Sequence, residues 1–233
     1  VALAVAGCAT LIDTNVDYAL VFDIGGGSSE LVWIDLRRIS GSGQHAASRI
    51  IDSVRRGNGQ SVWTSLPVGV VTLAERFGGC EVTPDVFEAM VTYVAALIAP
   101  FEERHGFRKR ISGSAVHFLG TSGTVTTVAG IQLGLPRYDR SKVDGCWMKV
   151  GDVNRVTYDL LNRTYEQRVA EPCIGHDRAD LVLAGCAILE AIIRAWPCER
   201  LRVADRGLRE GILSSLMMED NTFRAGRRRR RGE

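Results

Sequence analysis

Residues 21–31 read V-F-D-I-G-G-G-S-S-E-L, and no other stretch restricts the fold as strongly. A β-forming apolar run stops at Asp23, three glycines strip the next turn of Cβ atoms, and Ser28, Ser29 and Glu30 lead into a second apolar run. The pattern predicts a hairpin with an open, anion-binding tip. Gly25, Gly26 and Gly27 tolerate positive φ and let backbone N–H groups converge on phosphate, and Ser28 and Ser29 add hydroxyl donors. Asp23 and Glu30 supply hard oxygen ligands for a magnesium ion (Mg2+) shared with the phosphates. The competing reading is a plain glycine-rich hairpin with a satisfied acid at each end. The ordered recurrence of Asp, three Gly, two Ser and Glu favours the phosphate site.

The rest of the chain reads as mixed α/β. Tyr18–Ile24 and residues 30–36 flank the glycine turn as strands, and residues 50–55 and 61–66 read as two more around the turn at Gly57 and Gly59. Residues 70–77 predict a short helix, and Pro84 fits the first turn of a longer one reaching about Arg104. A buried strand at residues 115–119 then meets Gly120, Thr121, Ser122, Gly123 and Thr124 before a helix at residues 125–133. Strand, glycine turn and helix is a second anion-binding layout, because a helix start offers N–H groups and a favourable dipole. Further expected elements are a strand at 146–150, a helix at 153–161, the longest helix from Asp177 to about Ala195, a strand at 201–204 and a final helix at 208–218.

With 233 residues, 45% hydrophobic and 24% charged, the chain has the composition of a soluble globular protein of one large or two small domains. The apolar runs at residues 1–6 and 181–193 are too short or too interrupted to cross a bilayer, so no membrane partner is expected. The six cysteines form no C-x-x-C pair, which argues against zinc and fits a reducing, cytoplasmic setting. Arg224 and Arg227 to Arg231 make a basic tail over residues 219–233, expected to be a solvated, disordered terminus rather than a nucleic-acid grip. Arg37, Arg38, Arg55 and Arg56 offer an alternative route for a long polyanion. His45, His105, His117 and His176 lack partners at metal-ligand spacing and read as structural or solvated.

Three segments taken together, D-I-G-G-G-S-S-E-L from Asp23, G-T-S-G-T from Gly120 and D-R-G-L-R-E-G from Asp205, resemble the exopolyphosphatase and guanosine pentaphosphate phosphohydrolase (Ppx/GppA) family. Ser65-Leu66-Pro67-Val68-Gly69 and Arg178-Ala179-Asp180 with Gly185 are lesser matches. The resemblance implies an actin-like (ribonuclease H-like) lobe with a mixed central sheet flanked by helices. It implies hydrolysis of terminal phosphoanhydride bonds in polyphosphate or guanosine pentaphosphate with magnesium. Asp23 and Glu30 would then hold the metal or its waters, Gly25 to Ser29 would cradle phosphate, and Gly120 to Thr124 would form the opposing loop. Residues 1–218 correspond to the family's second lobe. The first lobe, with its own phosphate loop and a glutamate general base, would lie upstream of Val1, so this chain is expected to be slow or inactive alone. Asp144, Asp180 and Asp205 are the internal candidates to replace that base, with capping or ion pairing as their simpler roles. Family members are commonly dimers, which makes a homodimer compatible with the resemblance. An ATP-using kinase or chaperone of the same superfold would employ similar loops, and a polyanion-binding protein acting through the arginine tail is the alternative from another class.

Overall fold

The computed structural model describes residues 2–39, 43–57, 59–79, 81–207 and 210–213. The arginine tail, Cys80 and most of the expected final helix lie outside the described residues. Strands β1 (Tyr18–Ile24), β2 (Ser29–Asp35), β3 (Ser61–Leu66), β4 (Val116–Thr121), β5 (Trp147–Lys149) and β6 (Arg200–Ala204) form one sheet in the order β3-β2-β1-β4-β6-β5. The first three strands form an antiparallel meander, β4 and β6 run parallel to β1, and β5 is an antiparallel edge. Every residue of β1 except Asp23 is buried, as a central strand covered on both faces requires.

The helices are α1 (Ala2–Cys8), α2 (Gly43–Arg56), α3 (Val70–Phe77), α4 (Pro84–His105), α5 (Phe107–Arg110), α6 (Gly123–Gln132), α7 (Arg140–Val143), α8 (Val150–Leu161), α9 (Tyr165–Val169) and α10 (Val182–Ala195). One face of the sheet, carrying Leu20, Phe22 and Trp33, packs under α4, α6, α8 and α10 in the larger core. Trp33 anchors that core, stacked on Phe107 at 4.9 Å and edge-on to Trp196 at 5.6 Å. The opposite face, carrying Ala19, Val21, Val32 and Ile34, is covered by α1 and α2. By length and composition alone α4 could cross a membrane, with a mean hydropathy of 1.3. Here its Met90, Val91, Val94 and Ile98 edge is buried in the core beside α10.

Three expected elements need correction. The helix expected from Asp177 begins at Val182, after a separate 3-10 turn at His176–Arg178, and α4 rather than α10 is the longer of the two. Residues 50–55 are not a strand but the second half of α2, because Ala46, Ile50 and Val54 recur every four residues and make one buried helical face. Gly120 and Thr121 belong to β4 rather than to a loop, so the strand runs two residues further and only Ser122 separates it from α6. His117 is structural: its Nδ1 accepts the Asp13 N–H at 2.8 Å, and burial holds the ring's pKa down to about 4.

Candidate functional site

The β1–β2 register sets Asp23 opposite Glu30, and the β1–β4 register sets Asp23 beside Thr121. The Gly25 N–H donates to the Ser28 carbonyl at 2.9 Å and closes the hairpin tip. None of the three glycines uses positive φ. Gly25 is required for space, since a Cβ there would lie 2.9 Å from the Ser28 carbonyl oxygen, whereas Gly27 has nothing within 4 Å.

What orients this loop is α3. Val70 N–H donates to the Gly25 carbonyl and Val71 N–H to the Gly26 carbonyl, each at 2.9 Å, with Thr72 N–H reaching the latter at 3.3 Å. In a trans peptide the C=O and the following N–H point in opposite directions. Drawing the Gly25 and Gly26 carbonyls toward α3 therefore turns the N–H groups of Gly26 and Gly27 away from it, as a pair of anion donors. Gly69 lets the two backbones meet, because a Cβ there would overlap the Gly25 and Gly26 carbonyls. The helix start is thus spent on shaping the loop rather than on a ligand.

The two serines separate. Ser28 donates to a Glu30 carboxylate oxygen at 2.7 Å, and Ser65 on β3 donates to the same oxygen at 2.9 Å. Ser29, expected to offer its hydroxyl to phosphate, is instead fully buried and donates to the Val68 carbonyl at 2.7 Å. Its side chain alternates to the opposite face of the hairpin from Glu30. Burial, and then the charge of Glu30, raise the Asp23 carboxyl to about 6. A cation between the two would relieve that strain. Among the described residues no cluster of three or more metal-ligating side chains occurs, and a pair of carboxylates fits magnesium, which keeps several waters and shares substrate phosphate oxygens.

The second loop forms the facing wall. Ser122 caps α6, its hydroxyl accepting the Val125 N–H at 3.1 Å, and its carbonyl accepts the Thr126 N–H at 3.1 Å. The N–H groups of Gly123 and Thr124 at the helix start have no acceptor among the described residues. Other members of the loop are turned inward. Gly120 is buried in β4, where a Cβ would lie 2.6 Å from the Phe22 ring, and the Thr121 hydroxyl donates to the Arg206 carbonyl at 2.7 Å. A cavity of about 180 Å³ lies between the loops, lined by Gly25, Gly26, Gly123, Thr124 and Arg178. A Cβ on Gly123 would be 3.3 Å from the Arg178 guanidinium, so this cation overhangs the helix start. It forms no ion pair among the described residues.

A second hollow of about 190 Å³ joins Asp23, Ser122 and Gly123 to Asp205, Gly207 and Glu210. Apart from Asp23, the acids of this hollow and the neighbouring Asp144 are already engaged. Asp144 binds Arg206 at 2.6 Å and the Asp205 N–H at 3.1 Å. Asp205 accepts the Tyr138 hydroxyl at 2.7 Å, and Arg140 reaches both Asp205 and Glu210. Burial pushes the Glu210 carboxyl up, but the Gly207 N–H and Arg140 outweigh it and hold it at about 2. Asp180 lines neither hollow. The sequence singled out Asp23, Glu30 and both glycine loops, and the structure gathers them at one end of the sheet. It did not single out α3's start or Arg178 as parts of the site, although Ser65 to Gly69 and Arg178 lay in the lesser matches.

A family model described as the Ppx/GppA phosphatase family matches residues 2–220. Among solved structures, the chain is similar to the Ppx/GppA family member of Aquifex aeolicus, with a TM-score of 0.69 and 23% identity over 94% of this chain and 62% of that one. It is also similar to an exopolyphosphatase from Cytophaga hutchinsonii, with a TM-score of 0.71 and 20% identity over 93% of this chain and 62% of that one. The chain thus spans less than two thirds of the length of these structures, and at such identity the likeness concerns the fold.

Proposed function

Because the chain belongs to the Ppx/GppA phosphatase family, we propose that it forms one wall of an enzyme releasing orthophosphate from the ends of inorganic polyphosphate or guanosine pentaphosphate. The observation that carries this reading is the placement of Asp23 and Glu30 beside two facing sets of backbone donors, with Arg178 over one of them. Hydrolysis of a phosphoanhydride requires charge neutralisation, in-line positioning and an oriented water, with little covalent help. Gly26 and Gly27 N–H groups would hold one side of the terminal phosphates, and Gly123 and Thr124 N–H groups the other. Arg178 would offset the charge that gathers on the bridging oxygen as that bond breaks and the water's P–O bond forms. Asp23 and Glu30 would hold Mg2+, which supplies further neutralisation when bound.

Accepting the water's proton is a separate task. Asp144 and Asp205 have their oxygens engaged by Arg206, by Tyr138 and by Arg140, and the Gly207 N–H and Arg140 hold the Glu210 carboxyl at about 2, so none of the three is placed to take the proton. We therefore assign the base to a first lobe, outside this chain, that would close the cleft. The test joins such a lobe to this chain and follows phosphate release from both substrates with magnesium, with Glu30→Gln and Arg178→Ala alongside. The joined protein should exceed this chain alone by roughly 100- to 10,000-fold, and each substitution should remove most of the gain. Consumption of neither substrate by the joined protein would overturn the proposal.

A further inference from the structure

Arg178 reaches the phosphate site from a weak support. It ends the 3-10 turn at His176–Arg178, in which no residue is buried and no side chain caps the start. Its own N–H meets the Gly175 carbonyl at 3.4 Å, a long contact, and the approach of His176 to Asp177 at 3.7 Å is exposed on both sides. Nothing in such a turn keeps a long, rotamer-rich side chain over Gly123.

The residue that follows is held differently. Ala179 is 1% exposed, and among the described residues its carbonyl accepts no backbone N–H. It accepts the Nε–H of Arg168 at 3.2 Å. Arg168 lies in α9, is 3% exposed, and also donates from Nη1 to the Arg163 carbonyl at 2.8 Å. One guanidinium plane thus ties the backbone before α9 to the backbone before α10. Burial of so polar a group is tolerated where its donors are matched, and the planar fork fixes direction as well as distance. Arg163 adds an ion pair to Glu171 at 2.6 Å. Between them Cys173 packs on α6, where a Cβ on Gly130 would lie 2.8 Å from its Sγ. The segment joining α9 to α10 is therefore fastened at Cys173 to the helix whose start Arg178 overhangs, and at Ala179 to Arg168.

We infer that Arg168 is a positioning residue: by holding the Ala179 carbonyl it sets where Arg178 stands over the start of α6, and so the affinity of that site for terminal phosphoryl groups. The inference rests on the proposed function for the anion that Arg178 meets. The Arg178 Cα lies one residue from the tethered Ala179, so freeing that carbonyl lets the turn rotate and spreads the guanidinium over positions that miss the cavity.

The test titrates tripolyphosphate with magnesium into this chain by calorimetry at several salt concentrations. Amide exchange is read at Arg178 and Leu181, whose N–H groups donate to the Gly175 and Arg178 carbonyls. Arg178→Ala should weaken binding roughly ten-fold, the worth of a hydrogen bond to a charged group, with a shallower dependence on salt. Arg168→Met should weaken it by about as much, with faster exchange at both amides. Arg168→Lys should fall between, since an ammonium keeps the charge but lacks the fork. In the Arg178→Ala background neither change at position 168 should weaken binding further. A role in stability alone would lower the melting temperature yet leave affinity intact well below it. Unchanged affinity in the position-168 variants, or losses that add to that of Arg178→Ala, would overturn the inference. If Arg168→Met does not fold, Arg168→Lys supplies both comparisons. If tripolyphosphate fails to bind, or binds equally after Arg178→Ala, the role proposed for Arg178 fails and exchange at Arg178 decides the positioning. Faster exchange in Arg168→Lys upholds it, and unchanged exchange overturns it.

Discussion

Asp23 shows how one residue carries opposite demands for function and stability. Its carboxyl, ordinarily at 3.8, stands at about 6 in the folded chain because burial and Glu30 oppose its charge. The folded state therefore holds this proton more tightly than the unfolded one, and its stability falls as pH rises from about 4 to about 6. Asp23→Asn should stabilise the metal-free protein by about 3 kcal/mol at pH 8, with the gain vanishing below pH 4, while abolishing magnesium-dependent phosphate binding. Urea unfolding at both pH values checks this, and equal gains would contradict the assigned cause. Ser28 and Ser29 should behave oppositely to each other. Ser29→Ala leaves the buried Val68 carbonyl without its donor and should cost about 1 kcal/mol, with phosphate affinity unchanged. Ser28→Ala frees the Glu30 carboxylate of one hydroxyl and should alter metal affinity more than stability, as titration calorimetry and thermal melting on the same samples would separate.

At the scale of elements, α3 determines the shape of the first loop, and the contact is made through backbone alone. Gly69→Ala would force a methyl group into the Gly25 and Gly26 carbonyls and should cost about 2–3 kcal/mol together with phosphate binding. Gly27→Ala, with open space around it, should fold almost normally, so the pair distinguishes crowding from a general sensitivity of the loop. Much of this element layout could be read from sequence. The expected bounds of Tyr18–Ile24 and Val70–Phe77 coincide with β1 and α3, since an apolar run stopped by three glycines and a compact amphipathic turn are local signals. Residues 50–55 misled because I-I-D-S-V-R has β-forming composition in a short window, and only the wider spacing from Ala46 to Val54 reveals a helix. The Val70 and Val71 donations to Gly25 and Gly26 could not be seen, because a hydrogen bond between distant backbones leaves no mark on side-chain type. Arg178 stands out in the sequence only through its place in a lesser match, because its position over Gly123 is set by tertiary packing.

Across the whole molecule, the sheet gathers three segments far apart in sequence at the ends of β1, β4 and β6, and α1 fastens the last of them. Gly7 of α1 meets the Gly207 carbonyl so closely that a Cβ would overlap it, and Gly211 meets the Leu3 carbonyl in the same way. Gly7→Ala should therefore destabilise the fold by about 2–3 kcal/mol and loosen Asp205 and Glu210 beside Asp23, seen as faster amide exchange at Gly207. The same seam orders events during synthesis. At about 5–20 residues per second, roughly 10 to 40 s separate the making of Gly7 from that of Gly211, and for that interval α1 has no partner at its glycine face. The hairpin bearing Asp23 and Glu30 and the loop facing it can form early, but the hollow that joins Asp23 to Asp205 and Glu210 is completed only when the seam closes. A nascent chain arrested before residue 205 should thus hold a formed hairpin while the amides of α1 exchange freely.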